Sequence, residues 1–256
     1  MCAEKESIMR LFGVCRLKSV LTAVAAVCLV AVGLGVSVPV AVAAKTTKKL
    51  PIYCVEDDRK IAVTFDASWG AERTKGIVDT LERYGVKATF FPTGIWVDDY
   101  PEETKYIAEH GMEIGNHSMH HYNMGKMKRE DIVREIDEVD GKIAALTGKH
   151  PAVFRAPFGD YGNTLIDVLE EKGMRCIQWD VDSLDWKGLS ADVLVERVVK
   201  RATGGSIILC HNNSEHISEA LPTILETLGK QYEWVTVSEL IQGKEGAIDH
   251  TGKLHA

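Results

Sequence analysis

Five short stretches place side chains capable of acid–base or metal chemistry directly at the ends of apolar runs. They are Thr64-Phe65-Asp66, Asn116-His117-Ser118-Met119-His120-His121, Arg155-Ala156-Pro157-Phe158, Asp180-Val181-Asp182-Ser183-Leu184-Asp185-Trp186 and Leu209-Cys210-His211. His117 and His121 are four apart. On a helical turn that spacing puts both imidazoles on one face, where they either reach one cation or stand as two surface histidines. His120 is one residue off that face and reads as a supporting or exposed side chain. Asp66 suits a metal ligand, a general base or the N-cap of a helix starting near Ser68. Arg155 can hold a carboxylate by a bidentate pair or form a surface salt bridge. His211 is either a structural residue or an acid whose proton is retained by the carboxylates of Asp182 and Asp185. Trp186 either walls a small pocket or packs in the core.

The elements that must position these residues alternate. Candidate strands are 61–65, 88–91, 113–115, 153–156, 176–180, 206–210 and 234–237, rich in Val, Ile, Phe and Thr. Candidate helices lie near 74–84, 102–110, 129–146, 164–172, 191–201 and 217–231. In the third of these, Ile132, Ile136, Val139 and Ile143 form one apolar stripe. Gly85, Gly111, Gly148 and Gly173 fall where helices should stop. Seven βα alternations imply parallel strands with helices packed outside. A closed or nearly closed βα-barrel and an open doubly wound sheet both satisfy that pattern. In either, residues just past the strand C-termini gather at one rim.

Composition sets the boundaries. The chain has 256 residues, 45% hydrophobic and 26% charged, with a net charge of −7. That composition excludes wholesale disorder and a multi-pass membrane protein. Residues 1–44 carry Lys5, Arg10, Arg16 and Lys18 against Glu4 and Glu6, so the remainder stands at −9. An acidic body argues against a nucleic-acid partner. Ser19 to Ala44 is free of charge, follows basic residues and ends in Ala41-Val42-Ala43-Ala44. It reads as an apolar helix, either a cleaved signal or a retained anchor, and both place the following residues outside the cytoplasm. The expected organisation is a cytoplasmic stub plus signal or anchor over 1–44, a linker and lead-in over 45–59, the alternating strand–helix body over 60–242 and a frayed tail over 243–256. The body's Cys54, Cys176 and Cys210 form no CxxC pair. They read as small buried side chains, with one disulfide and a free thiol as the other arrangement.

In this order and at barrel spacing, the five motifs resemble the polysaccharide deacetylases, carbohydrate esterase family four, over roughly Lys60 to Ile241. The resemblance implies a distorted (β/α)7 barrel of the NodB homology type. It implies a hydrolase that removes acetyl groups from N-acetylated peptidoglycan or chitin-like glycan with a divalent metal, zinc or another late ion such as cobalt. It gives Asp66 as catalytic base, His117 and His121 as metal ligands, and Arg155 as the residue that orients Asp66. The Phe158 backbone N–H becomes an oxyanion donor and Asp185 the residue that tunes His211, the catalytic acid. Trp186 and Leu209 become walls of the acetyl-methyl pocket. The chain departs from the family's Thr-Phe-Asp-Asp pattern at Ala67, which replaces the third metal ligand. The stretches Asp66-x-Ser68-Trp69-Gly70 and Asp182-Ser183-Leu184-Asp185-Trp186 are similar to the sporulation-associated branch of Gram-positive bacteria. Ala67 also opens an alternative: a glycan-binding wall protein with weak or no activity.

Overall fold

The strand β2 (Lys60–Ala67) is the central stave of the fold, and every residue from Ile61 to Ala67 is buried. A strand buried on both faces is what a parallel sheet covered by helices requires. The computed structural model describes residues 47–256, and Lys48–Ala256 forms one compact unit. The expected signal or anchor over 1–44 lies outside the described residues. Among the described residues no helix is long and apolar enough to cross a membrane.

Before β2 comes a two-residue strand, β1 (Cys54–Val55). After it the chain alternates through α1 (Thr74–Arg83), β3 (Thr89–Pro92), α2 (Gly94–Asp99), α3 (Pro101–Glu109) and β4 (Glu113–Ile114). It continues through α4 (Arg129–Thr147), β5 (Val153–Phe154), α5 (Asn163–Glu171), β6 (Arg175–Cys176) and β7 (Val181–Asp182). The last elements are α6 (Ala191–Arg201), β8 (Ile207–His211), α7 (Ile217–Gly229), β9 (Glu233–Trp234), α8 (Val237–Ile241) and β10 (Lys253–Leu254). The main sheet runs β4-β3-β2-β8-β7, with β9 also paired to β2. All of these pairs are parallel. A bridge from Asn116 to Phe154 carries the curve on to the β5–β6 pair, and Ile177 bridges back to Ile52. The result is a distorted α/β barrel with the helices outside.

Alternation along β2 separates two environments. Ile61, Val63, Phe65 and Ala67 join one apolar cluster with Ile77 and Leu81 of α1, Leu194 of α6, and Leu221 and Leu228 of α7. Each fully buried side chain of this kind contributes roughly 1.5–3 kcal/mol relative to exposure. Ala62 belongs to a second cluster, with Ile52, Phe91, Val153 and Ile207. Thr64 and Asp66, the other even positions, meet the buried Arg155.

Four details depart from the sequence expectations. The run 234–237 is a strand only to Trp234, because Thr236 and Glu239 form a capping box that starts α8. In the run 176–180 the strand β6 ends at Cys176 and Ile177 makes an isolated bridge, while a separate β7 begins only at Val181. The tail is not frayed: β10 pairs with β1, and Leu254 is fully buried. The short helix α2 has no counterpart among the expected elements. Its N-cap Thr93 accepts a hydrogen bond from the Trp96 N–H at 3.3 Å. Cys54, Cys176 and Cys210 are free thiols, and the last two are buried.

Candidate active site

Asp66 and His211 face each other in register across β2 and β8. The strand ends therefore deliver a carboxylate and an imidazole side by side. Around them a cleft of about 810 Å³ is lined by Asp66, His117, His121, Phe158, Asp185, Trp186, Leu209 and His211, among others. Eight of the nine expected site residues thus meet in one cavity. The ninth, Arg155, lies behind it and is fully buried.

Arg155 is held on several sides. One guanidinium nitrogen donates to Asp66 Oδ1 at 2.7 Å and to Thr64 Oγ1 at 2.8 Å. The other donates to the Gln178 carbonyl at 3.1 Å. The guanidinium also lies over the Phe91 ring, 4.2 Å from its centroid. The surface salt-bridge alternative for Arg155 is therefore excluded, and so is the helix N-cap role for Asp66, which sits inside β2. Burial pushes the Asp66 carboxyl up, but the charge of Arg155, helped by His117 and His211, outweighs it and holds the group below its ordinary value of 3.8.

His117 and His121 do not sit on a helical turn as their spacing predicts; they lie in the loop after β4. Ser118 N–H donates to Asn116 Oδ1 at 2.9 Å, and His121 N–H donates to Ser118 Oγ at 3.2 Å. Two side-chain-to-backbone turns therefore bring the rings together, with centroids 4.9 Å apart. The backbone is left-handed at both Ser118 (φ 64°) and His121 (φ 57°). Phe158 and Leu184 share that conformation, each with φ 57°. Among the described residues these four are the only non-glycine positions with positive φ. All four lie in the loops that carry the site residues, where backbone strain is characteristically stored.

The His117 Nδ1–H donates to the Arg155 carbonyl at 2.8 Å, which leaves Nε2 as the lone-pair nitrogen. Nε2 stands 3.5 Å from Asp66 Oδ2. Burial lowers the His117 pKa. Burial, reinforced by His117, lowers that of His121 to about 4. Both imidazoles are neutral at pH 7. His211 goes the other way. Its Nδ1 is 2.7 Å from Asp185 Oδ1, and its backbone N–H donates to Asp185 Oδ2 at 2.8 Å. Burial opposes the charge on His211, but the hydrogen bond and charge of Asp185 outweigh it and raise the pKa above 6.5. Asp185 is in turn fixed by its own backbone, whose carbonyl accepts from Ser214 Oγ at 2.8 Å.

Two neutral nitrogen donors, one of them oriented by a backbone carbonyl, have the chemistry of metal-binding histidines. His121 Nδ1 is also buried without a hydrogen-bond partner. The pair fits a divalent cation held by two protein ligands, with the other positions left to water or substrate. Among the described residues no group of three His, Cys, Asp or Glu side chains is arranged to hold a metal. Ala67 is fully buried in the apolar cluster and supplies no donor.

The cleft includes residues that motif spacing did not single out as site residues. Trp69, Trp179, Asn212 and Asn213 line it. Asn212 and Asn213 follow His211 directly, so the rim position of β8 was the signal for them. Trp179 was absorbed into an expected strand. Trp69 and Phe158 are 71% and 67% exposed and both pack edge-on to His121. Of the residues that hold Arg155, Thr64 belonged to the first motif without a role of its own, and Gln178 carried no signal.

Comparison with known proteins accords with this arrangement. The family profile described as Polysaccharide deacetylase matches residues 55–177. The peptidoglycan-N-acetylglucosamine deacetylase PgdA of Listeria monocytogenes is 36% identical over 184 residues. That alignment covers 72% of this chain but 39% of the Listeria protein, so the chain spans well under half of that relative. A peptidoglycan-N-acetylglucosamine deacetylase of Bacillus cereus is 35% identical over 195 residues, covering 73% of this chain and 91% of the relative. The wild-type CE4 family pseudoenzyme from Bacillus anthracis superposes with a TM-score of 0.73 at 31% identity, covering 80% of this chain and 73% of the other. This chain belongs to the polysaccharide deacetylase family.

Proposed function

We infer that this protein is an extracytoplasmic hydrolase that removes acetyl groups from N-acetylated cell-wall or spore-wall polysaccharide. The observation that carries the inference is the pairing of Asp66 and His211 across one cleft: a carboxylate held by a buried guanidinium beside an imidazole held by a buried carboxylate. Hydrolysis of an amide at neutral pH needs a base and an acid at once. Asp66 Oδ1 is engaged by Arg155, so Oδ2 accepts the proton of an attacking water. The water oxygen bonds to the acetyl carbon, and the Phe158 N–H supports the oxyanion. The carbon–nitrogen bond then breaks as His211 protonates the leaving amine, and acetate is released. Trp186 and Leu209 wall the acetyl methyl. A divalent cation, zinc or cobalt, would be held by His117 and His121 and would polarise the amide carbonyl. The acidic body suits uncharged or partly cationic glycan, and the apolar segment before residue 45 supports placement at or beyond the membrane.

A second reading rests on Ala67. A site with two protein ligands holds a dication weakly, and one structural neighbour is itself a pseudoenzyme. In that reading the cleft binds acetylated glycan and hydrolyses little. The test is acetate release from N-acetylglucosamine oligomers and peptidoglycan by the full chain, with and without zinc or cobalt. Metal-stimulated release that disappears in Asp66→Asn supports the hydrolase. Glycan binding with no release under any condition supports the binding protein.

A further inference from the structure

The register of β2 with β8 ends at the pair Asp66 and His211. The Asn212 N–H closes the ladder by donating to the Asp66 carbonyl at 3.1 Å. Beyond it the two chains part into loops, and a strand end open to a cleft frays unless side chains tie it. Asn212 supplies the tie. Its side chain is buried, and Nδ2 donates to the Gly70 carbonyl at 3.0 Å and to Thr74 Oγ1 at 2.9 Å. A carbonyl only accepts, so the amide must turn its nitrogen this way, and both of its N–H groups are used on the loop after β2. Asn213 adds a second tie: its Oδ1 accepts from the Arg73 N–H and its carbonyl from Arg73 Nη1, each at 3.3 Å. Gly70 has φ +66°, and a Cβ there would lie 2.2 Å from Asn213 Nδ2, so the loops close too tightly for a side chain at this point.

The same Gly70 carbonyl has another partner. Trp96 Nε1 donates to it at 2.7 Å. Trp96 belongs to α2 and is fully buried, a setting in which the indole N–H needs an acceptor. The start of α2 in turn carries the histidine loop. The Gly94 N–H donates to the Ser118 carbonyl at 3.0 Å and the Ile95 N–H to the Met119 carbonyl at 3.1 Å. A Cβ at Gly94 would lie 2.0 Å from Met119 Sδ, so helix and loop are in direct contact. One carbonyl oxygen, with a donor on each lone pair, therefore joins three segments. The first follows Asp66, the second follows His211, and the third supports His117 and His121.

The barrel does not need this joint for cohesion. Phe65, Ala67 and Ile208 of the two strands are already buried in the large apolar cluster. The joint lies past the strand ends, on the rim where the reacting groups stand. There it fixes distance and angle, and a misplacement of about 1 Å costs about 10²-fold in rate. We propose that the Gly70 carbonyl holds the base, the acid and the histidine loop in mutual position, and that Asn212 and Trp96 are positioning residues of the reaction. The proposal rests on the hydrolase reading given above.

The variants are Asn212→Asp, which keeps the side chain's shape and removes both donors, and Trp96→Phe, which keeps a buried ring and removes the indole N–H. In the full chain each lowers kcat on the N-acetylglucosamine pentamer by about ten- to a hundredfold, while KM stays within about twofold of wild type. The double variant is no slower than the slower single one, because both break the same joint. Melting curves confirm folding, and Asn212→Ala replaces Asn212→Asp if the buried charge prevents it. An unchanged kcat in either folded variant, or losses that multiply in the double variant, overturns the joint. If wild type releases no acetate, the hydrolase reading fails and amide hydrogen exchange decides the joint separately. Trp96→Phe then speeds exchange at the Asn212 amide, and Asn212→Asp at the Gly94 and Ile95 amides, each by about tenfold, while amides inside β2 keep their rates. Changes confined to the substituted residue's own segment overturn it.

Discussion

Asp66 and His211 are register partners on adjacent strands, yet their surroundings have opposite sign. On the β2 side a carboxylate is buried against the guanidinium of Arg155, with two neutral imidazoles beyond it. On the β8 side an imidazole is partly buried against the carboxylate of Asp185. Burial alone would neutralise both groups, raising the acid and lowering the base. In each case one buried counter-charge reverses that tendency. On the proposed reading, the contrast is how a single cleft would hold a base and an acid together: strand register fixes their separation, and the residue behind each one biases its charge.

Removing the charge behind Asp66 is expected to have the largest effect. Arg155→Ala leaves a buried carboxylate without its guanidinium partner and strands the Gln178 carbonyl. We expect a loss of about 3–5 kcal/mol in stability, together with loss of acetate release. Urea unfolding of the full chain measures it, and a loss below about 1 kcal/mol would mean that the pair is replaceable by water. Asp66→Asn attacks the same side more gently, since Arg155 keeps an oxygen acceptor of similar shape. Acetate release should fall by about 10²- to 10⁴-fold, while the melting temperature changes little. Undiminished turnover in this variant would be incompatible with Asp66 as the base.

On the β8 side, Asp185→Asn removes the charge that raises the His211 pKa. The His211 pKa then falls, so the alkaline limb of the pH–activity profile moves to lower pH. Activity near pH 8 should drop more than activity near pH 6, with about a tenfold difference for each pKa unit lost. A profile that loses amplitude without shifting would assign Asp185 a purely structural part.

Much of this contrast could be read in the sequence, because it depends on strand ends. Apolar runs ending in Asp66, Arg155 and His211 had to bring those residues to one rim once the strands were parallel. What could not be read depends on contacts remote in the chain. Nothing local to Arg155 indicates that Thr64 and Gln178 would receive its hydrogen bonds, or that it would be fully buried. The HxxxH spacing suggested a helical turn, but Asn116 and Ser118 offered the backbone competing hydrogen bonds and produced a left-handed loop instead. The tail looked unpatterned because two residues, Lys253 and Leu254, suffice to pair with β1. So short a strand leaves no period to detect.

A smaller effect concerns the neutral imidazoles. His121→Ala removes one of the two nitrogen donors and should weaken zinc binding by about tenfold or more, by the scale seen when metal sites lose a supporting group. Calorimetric titration of zinc into the full chain measures this without reference to activity. Equal affinity in wild type and variant would remove His121 from the ligand set and leave the β2 side with acid–base chemistry alone.

The smallest expected effect is on stability, and its sign distinguishes the two sides. His211 has a folded-state pKa above its ordinary 6.5, set by Asp185 against the opposing cost of burial. The folded state therefore binds the proton more tightly than the unfolded chain. That contribution is fully present below pH 6.5 and disappears as pH rises through the folded pKa. Asp66, held below 3.8, behaves in the opposite sense: its contribution is present above that value and is lost as pH falls through the folded pKa. Urea midpoints of wild type and Asp185→Asn should thus differ most near pH 6 and converge toward pH 9. A gap that widened toward pH 9 would show that Asp185 stabilises the neutral imidazole, and the acid would then have to be sought outside the β8 side of the cleft.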